Sequence, residues 1–409
     1  MNILKPIFPL YVNRKSLGFM NSLAIACLFI NFTLPKAGFY VDDFPITFGY
    51  VLAGVFTVIK LLISTKHFSE PYNRLGVLFF LGLLISLISF VIISNFTVNG
   101  NSSSILYFII AYGLVPILAY NVCFHILSKK ELFERIIYFS AILVSIYGVL
   151  QFIFLNYFKI NILLPFITVT GPDVNVIFDK NITRGSFYKA VGSYNNGNIL
   201  GVNFLMFMPL ALFYGRSLLS NISSRILILV TLSRTVWVVW IFVEVLMAIL
   251  SKKVSRVIML FPIVVIGIYV IIGFTSQFAT NTGDFLLDSN LGGRAEYLNF
   301  NPSVLPSTYT PIAEIVYAAI LKSYGIVGLL VFLIVFVSPL FLRTNNKYVV
   351  FAKIGMIGYL AAMFLDGAFT LVPTTFIYWS LGAYVFHSYL VYTRQKRKIT
   401  KVESSMPTV

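Results

Sequence analysis

The sequence predicts an all-α fold: a polytopic transmembrane helical bundle of about twelve spans, with two long exoplasmic (periplasmic) loops containing short helices. Composition is the first reason. The 409 residues are 58% hydrophobic and 11% charged, with a mean hydropathy of +0.90, whereas soluble domains carry about 25% charged residues. Length is the second reason, because apolar runs of the roughly 20 residues that a spanning helix needs recur along the chain. We therefore expect a single integral membrane domain.

The charged and metal-binding residues exclude several classes of protein. A net charge of +16 is typical of basic cytoplasmic loops in membrane proteins, so we expect no nucleic acid partner. Cys27 and Cys123 lie in apolar runs and the three histidines are dispersed, so we expect no disulfide framework, no metal and no cofactor. We also expect no cleavable signal peptide, because the first apolar run leads directly into further spans.

Residues 1–158 are predicted to form the N-terminal group of spans. Basic residues such as Lys66 and Lys129 follow alternate spans, and the positive-inside rule then places the N-terminus in the cytoplasm. The predicted spans are 17–34, 45–64, 75–94, 105–127 and 136–157.

The first long exoplasmic loop is predicted at residues 159–198, ahead of a middle group of spans in residues 199–274. The loop contains Arg184 and ends in the sequence GSYNNGN at 192–198. Asparagine and glycine at this density are typical of a turn that enters a helix. We therefore expect a helix at 199–214.

The apolar run 226–251 contains Arg234 and permits two interpretations. As a single crossing it would place Lys252 and the basic tail at 394–401 outside the cell, against the positive-inside rule. As a helical hairpin broken at 233–235 it returns both to the cytoplasm, and we prefer the hairpin. Irregular backbone at membrane depth lines protein or a wet cavity. The hairpin therefore predicts Arg234 at its tip, facing an exoplasmic cavity.

The second long exoplasmic loop is predicted at residues 275–325. It contains Arg294 after two glycines, and Glu314 within the apolar segment 311–324. We interpret that segment as a surface or re-entrant helix. Residues 326–409 hold the C-terminal spans and a basic cytoplasmic tail, so both termini are expected inside.

Three arginines on the predicted exoplasmic side, Arg184, Arg234 and Arg294, lie beside turns or glycines. Guanidinium groups bind phosphate through paired hydrogen bonds, so three that converge would suit a diphosphate. The alternative is that each lies at the headgroup level or pairs with an aspartate, although a buried arginine costs roughly 2.5–3.5 kcal/mol on insertion scales. Glu314, if buried, would have a raised pKa and would act as a base toward a sugar hydroxyl. The alternative is an acid on the wet face of an amphipathic helix, and Glu244 is expected to be structural.

The order and spacing of these motifs resemble the O-antigen polymerase and ligase superfamily of bacterial inner-membrane glycosyltransferases. The resemblance covers roughly residues 180–330 by motif and the whole chain by topology. Glu314 stands where the family has a histidine, so the chain is more similar to polymerases of the Wzy type than to ligases. The matching motifs are the arginine-led loop ending at 192–201, Ser233-Arg234, Gly292-Gly293-Arg294 and Gly325-Ile326-Val327-Gly328.

The resemblance implies polymerisation of undecaprenyl-diphosphate-linked oligosaccharide repeat units on the exoplasmic face, without a metal. Arg184, Arg234 and Arg294 would hold the diphosphate, and Arg294 and Glu314 would be catalytic. Membrane lipid and a polysaccharide chain-length regulator are the further partners that it implies. The residues implied to hydrogen-bond the sugars are Tyr194, Asn195, Asn196 and Asn198.

Two other functions stay open at this point. A ligase of the same superfamily would transfer the glycan to the lipid A core. A flippase or transporter for lipid-linked sugars is expected to have short loops and an internal repeat. The polar residues here are concentrated in two long loops instead, which disfavours transport.

Overall fold

The computed structural model describes residues 14–41, 44–63, 82, 87–89, 91–92, 109–178, 182–184, 187–194, 196–215, 217–252, 301–306, 315–365 and 372–405. Over these residues the protein is a bundle of α-helices joined by loops, with two short β-hairpins. The span predicted at 75–94 lies largely outside the described residues, and the part of the middle group of spans after residue 252 lies wholly outside them.

The helices of the described part follow one another along the chain as α1 (Arg14–Thr33), α2 (Phe48–Ile63), α3 (Val115–Ile126), α4 (Lys130–Ile153), α5 (Gly197–Tyr214), α6 (Leu218–Val230), α7 (Arg234–Ser251), α8 (Val316–Phe341), α9 (Lys347–Ala362) and α10 (Val372–Ser405). A π-helical turn precedes α3 and another extends α4, at Ile110–Leu114 and Phe154–Phe158.

Four helical segments of the described residues are long and apolar enough to cross a membrane: Ile110–Phe158, Gly197–Tyr214, Arg234–Ser251 and Val316–Phe341. The first of these contains both α3 and α4, which the short turn Leu127–Lys129 joins. The coarse prediction of a mostly helical bundle with apolar helices is confirmed. The number of spans stays a prediction.

The exterior of the bundle is apolar, while several polar groups lie inside it. On α6, Leu218 and Leu219 are 69% and 60% exposed, whereas Ser220, Ser224 and Arg225 are buried. A helix on the surface of a water-soluble protein has the opposite distribution. Polar groups that face the bundle interior are typical of membrane helices.

A helical hairpin is present near Arg234 as predicted, but its turn lies at 231–233 rather than at 233–235. Helix α6 ends at Val230, residues 231–233 turn, and α7 begins at Arg234 with Ser233 as its N-cap. The Trp237 indole donates to the Ile228 carbonyl at 3.1 Å, and Arg225 reaches Glu244 further back, so the two helices run antiparallel. The prediction was wrong about where the first helix begins, because α6 starts at Leu218 rather than at residue 226.

Helix α5 is the central helix of the described bundle. Fourteen of its residues are buried, and it packs along α4, α7 and α9. Gly355 of α9 lies so close that an added Cβ would be 1.7 Å from the Met206 carbonyl oxygen. Near the C-terminus of α5, the Phe213 and Phe351 rings stack with centroids 4.0 Å apart. Together these two contacts fix α5 and α9 in an antiparallel pair.

The C-terminal helices include a predicted break. Helix α8 is kinked at Gly325, whose φ of 68° and ψ of −172° are not helical. Residues 303–305 fill the kink, since Ile326 donates its amide to the Ser303 carbonyl at 3.0 Å. The prediction of separate helical segments on either side of Gly325 is thus confirmed for the described residues 315–341. Further along, the Tyr384 hydroxyl of α10 donates to the Glu134 carboxylate of α4.

Two small β-hairpins modify the all-α prediction. β1 (Gly38–Val41) pairs with β2 (Phe44–Thr47), and β3 (Thr183–Arg184) pairs with β4 (Phe187–Tyr188). Strands of two to four residues are too short for an alternating hydrophobic pattern to be recognised in a sequence. Both hairpins lie in connections between helices, so the helical class is unchanged.

Candidate functional site

The N-termini of α5 and α7 meet at one end of the bundle. The Ala190 amide, before α5, donates to the Val230 carbonyl at the hairpin turn over 2.9 Å. A Cβ added to Gly197 would lie 2.8 Å from the Thr231 carbonyl oxygen. One turn further on, a Cβ on Gly201 would lie 2.6 Å from the Val236 side chain. Only glycine at these positions allows the start of α5 to approach the α6–α7 turn so closely.

Both helices begin with a side-chain cap. The Asn196 side chain accepts the Asn198 amide at 2.8 Å, and the Ser233 hydroxyl accepts the Val236 amide. Such caps satisfy one of the unpaired amides of a first turn. Each helix N-terminus also carries a partial positive charge of about half an elementary charge. Two of them side by side create a region that favours an anion.

Two cationic residues lie at the same place. Arg234 is the first residue of α7 and is half-buried. Lys189 is only 5% exposed, and its Cβ would be 3.0 Å from a Cβ added to Gly197. Both residues also interact within the protein. This end thus brings together two basic side chains and two helix N-termini.

Side chains of α4 and its π-helical extension hold the segment that carries Lys189. The Gln151 side-chain oxygen accepts the amides of Val191 at 3.1 Å and Gly192 at 2.6 Å. The Asn156 side chain makes two hydrogen bonds with the backbone of Tyr188, donating at 2.9 Å and accepting at 2.8 Å. Both amide side chains therefore fix the backbone on either side of Lys189.

Helix α1 holds the next part of the same segment. The Ser193 hydroxyl donates to the Thr33 carbonyl and the Tyr194 hydroxyl donates to the Phe32 carbonyl, the latter at 2.9 Å. Tyr194 is 1% exposed, and burial raises the pKa of its phenol, which stays a donor. This position leaves Tyr194 no surface for the sugar contact that the resemblance implied. Its role in this structure is to position the start of α5.

The other predicted site residues are described in part. Asn196 and Asn198 lie at the start of α5, half-buried, beside Arg234's helix. The backbone of Arg184 pairs with Phe187 in β3–β4, and its side chain lies outside the described part of the structure. Asn195, Arg294 and Glu314 also lie outside it. The convergence of the three arginines and the base role of Glu314 therefore remain predictions.

Sequence reasoning missed Lys189 as a site residue and misplaced Arg225. The sequence shows Lys189 as one of several basic residues in a loop. Its backbone neighbours are held by Gln151 and Asn156, which are more distant in the chain, and its Cβ lies against Gly197 at the start of α5. The hairpin predicted from residue 226 would have placed Arg225 just before its first helix, at the cytoplasmic surface. Arg225 is 4% exposed instead, because α6 begins seven residues before it.

Arg225 belongs to a buried ion pair with Glu244, which joins α6 to α7. The Arg225 Nη2 atom lies 2.9 Å from Glu244 Oε1 and 3.1 Å from Oε2. Trp240 Nε1 donates to Oε1 at 3.3 Å, and Arg225 Nη1 donates to the carbonyl and side-chain oxygens of Asn221, both at 3.2 Å. These contacts engage both charges within the protein, so the pair is structural, as expected for Glu244.

No group of histidine, cysteine, aspartate and glutamate side chains suited to a metal ion occurs among the described residues. Comparisons with protein-family models, with curated proteins and with solved structures gave no match. A functional interpretation therefore depends on the chain's own residues: a positively charged end built from Arg234, Lys189 and the N-termini of α5 and α7.

Proposed function

We propose that this protein is a membrane glycosyltransferase that polymerises undecaprenyl-diphosphate-linked oligosaccharide repeat units into O-antigen or capsular polysaccharide. The observation that carries the proposal is the meeting of Arg234, Lys189 and the N-termini of α5 and α7 at one end of an apolar bundle. A lipid carrier fits this position, because its tail stays beside the apolar helices while its diphosphate reaches the positive end.

The chemistry requires a stabilised leaving group. A hydroxyl oxygen of the acceptor sugar attacks the anomeric carbon of the donor, and the bond from that carbon to the diphosphate oxygen breaks. Undecaprenyl diphosphate leaves with the bonding electrons, and the hydroxyl proton passes to a base, for which Glu314 is the candidate. Arg234 and the helix N-termini would stabilise the negative charge that develops on the diphosphate. Arg184 and Arg294 would complete this clamp from the two loops.

The distribution of other cations supports an exoplasmic site. In this proposal both termini lie in the cytoplasm and the chain has about twelve spans. Lys129, Lys252, Arg343 and Lys347 lie at helix ends or in the loops between helices, at the opposite end of the described helices from Arg234. The positive-inside rule places such basic residues on the cytoplasmic side of the bacterial inner membrane. The end that holds Arg234 and Lys189 would then face the periplasm, where lipid-linked repeat units are assembled in this proposal.

The proposal is tested by replacing Arg234 with alanine in the parent bacterium and separating its surface polysaccharide by electrophoresis. We expect the ladder of long chains to collapse to a single repeat unit, because the diphosphate loses a bidentate partner. Arg234→Lys keeps the positive charge but lacks the paired hydrogen-bond donors of a guanidinium group, so this variant should retain short chains. Arg343→Ala, an exposed arginine in a turn at the opposite end, is the matched control and should leave the ladder intact.

Each outcome separates the functions that the sequence left open. A normal ladder from an expressed Arg234→Ala variant would disprove the clamp. Loss of all glycan from the lipid A core, with long chains still built on the carrier, would identify a ligase. Accumulation of single units on the cytoplasmic leaflet would identify a flippase or transporter.

A further inference from the structure

A second feature of the same end of the bundle is a compact unit made from two connections that are distant in sequence. The β1–β2 hairpin joins α1 to α2, and residues 159–171 follow α4. The Gly38 amide donates to the Phe166 carbonyl at 2.9 Å, and the Gly171 amide donates to the Gly38 carbonyl at 3.1 Å. The Thr170 hydroxyl donates to the Lys36 carbonyl at 2.8 Å. These bonds hold the two connections as one surface.

This surface and the adjoining end of α4's π-helical extension expose large apolar side chains. Tyr157 and Phe158, at the end of the π-helical turn, are 68% and 61% exposed. We use the name aromatic rim for the whole group, whose members are Phe39, Tyr40, Val41, Tyr157, Phe158, Ile160, Leu164, Phe166 and Ile167.

The rim is not needed to form the core beneath it. That core is a separate small cluster of buried side chains: Leu163, Val169, Ile177, Ile182 and Val191. The rim side chains are not members of this cluster and remain exposed. Exposed large apolar side chains grouped on two hydrogen-bonded connections indicate an interaction with a protein, a ligand or a membrane.

Phe166 provides a second indication that the rim is functional. Its φ of 60° lies in the left-handed region, which a bulky side chain adopts at a conformational cost. Its amide donates to the Gly171 carbonyl and its carbonyl accepts the Gly38 amide. The surrounding hydrogen bonds therefore maintain a backbone conformation that leaves the ring exposed.

The depth of the rim along the bundle identifies what covers it. Helix α4 and its π-helical extension run without interruption from Lys130 to Phe158, roughly 40 Å at about 1.5 Å per residue. Between Arg135 and Lys159 the sequence contains no charged residue. A bilayer is about 30 Å thick in its hydrocarbon core and about 40–45 Å with its headgroups. If Lys130 is at one headgroup layer, Tyr157 and Phe158 lie at the other.

We propose that the aromatic rim lies in the headgroup–acyl boundary of the outer leaflet and anchors this end of the bundle to the lipid surface. Aromatic side chains are enriched at that depth because a ring fits the boundary between hydrocarbon and water. Lys159, exposed beside Phe158, is placed to contact lipid phosphates. The rim also continues the exposed apolar face of α4, which includes Phe139, Leu143 and Leu150. The proposal requires membrane insertion and does not depend on glycosyl transfer.

The test uses the full chain in vesicles of phosphatidylcholine and phosphatidylglycerol. Cysteine is introduced at Phe39, Tyr157 or Phe166 and labelled with a nitroxide, and Asn175→Cys is the matched control on an exposed part of the same loop. Collision with oxygen and with a water-soluble nickel complex is measured by electron paramagnetic resonance. The unmodified chain serves as a blank, because its own two cysteines are buried.

We expect the rim labels to collide with oxygen more, and with the nickel complex much less, than the label at Asn175. Three rim positions keep the test valid if one variant fails to fold. Nickel accessibility at the rim equal to that at Asn175 would overturn the proposal. So would spin–spin broadening between rim labels that disappears on dilution with unlabelled protein, since a second copy would then cover the rim.

Discussion

Replacing Glu244 with leucine would leave the Arg225 guanidinium buried without a counter-charge. The side chains of the pair are 5% and 0% exposed, and their closest atoms are 2.9 Å apart. Removing one partner of such a pair costs about 3–5 kcal/mol. At about 1.4 kcal/mol per factor of ten, the unfolding equilibrium should shift by roughly two to three and a half orders of magnitude.

The double variant Arg225→Met with Glu244→Leu separates the loss of the pair from the cost of an unpaired charge. Well-packed apolar replacements of a buried pair are often neutral or stabilising, so we expect the double variant to recover most of the stability lost by Glu244→Leu. Additive losses in the double variant would contradict this reasoning, because partners in contact should couple.

The assay is reversible unfolding in mixed micelles, followed by tryptophan fluorescence, since Trp240 donates to Glu244. Glu131→Leu is the control: Glu131 pairs with Arg135 at 3.4 Å on the exposed surface of α4, where an ion pair contributes little. Its unfolding curve should match that of the unmodified protein. If Glu244→Leu also matched it, the pair would not carry the stability that its burial implies.

Two further predictions concern the backbone around the site. Gly325→Ala should destabilise the protein by about 1–3 kcal/mol, because φ there is 68° and the new Cβ would lie 2.6 Å from the Val304 carbonyl oxygen. Thermal unfolding tests this prediction. Gly54→Ala is the control, because nothing lies within 4 Å of a Cβ added there. Gln151→Leu should lower the free energy of unfolding by about 1–3 kcal/mol, because two loop amides lose their acceptor, and it should speed proteolysis of the first loop. Gln151→Glu keeps an acceptor oxygen, so the loop should remain protected from proteolysis in that variant. Equal cleavage of the two Gln151 variants, or equal melting of the two glycine variants, would disprove these assignments.

The sequence was sufficient for features that depend on local chemistry. The charge of Lys252 and of the basic tail favoured a break in 226–251, and the structure has that break at 231–233. The boundary predicted between the segments 311–324 and 326 onward coincides with the kink in α8 at Gly325, and the asparagine-rich string before residue 199 predicted the start of α5. In each case a residue with a strong backbone or topological preference lies at the boundary itself.

Features that depend on distant packing could not be obtained in this way. Lys189 is buried in a segment whose backbone is held by Gln151 and Asn156 of α4 and its π-helical extension. Arg225 is buried because α6 extends further than its apolar run suggested. Tyr194 is of a residue type that can hydrogen-bond a sugar, yet its hydroxyl donates to a backbone carbonyl of α1. A polar side chain has the same identity whether it binds a ligand or a neighbouring backbone, and only the surrounding helices decide between the two.

The buried pair and the positive end are parts of one arrangement. Arg225 and Glu244 join α6 to α7 at positions 6 residues before and 11 residues after the turn 231–233. The Ala190 amide donates to Val230, the last residue of α6. A change in the angle between α6 and α7 would therefore move Arg234 relative to Lys189 and the start of α5. Because helix-terminal charge acts only within about one turn, a shift of a few ångströms would weaken the proposed anion site. The Glu244→Leu variant should consequently shorten glycan chains even where it is folded, and the double variant with Arg225→Met should restore them.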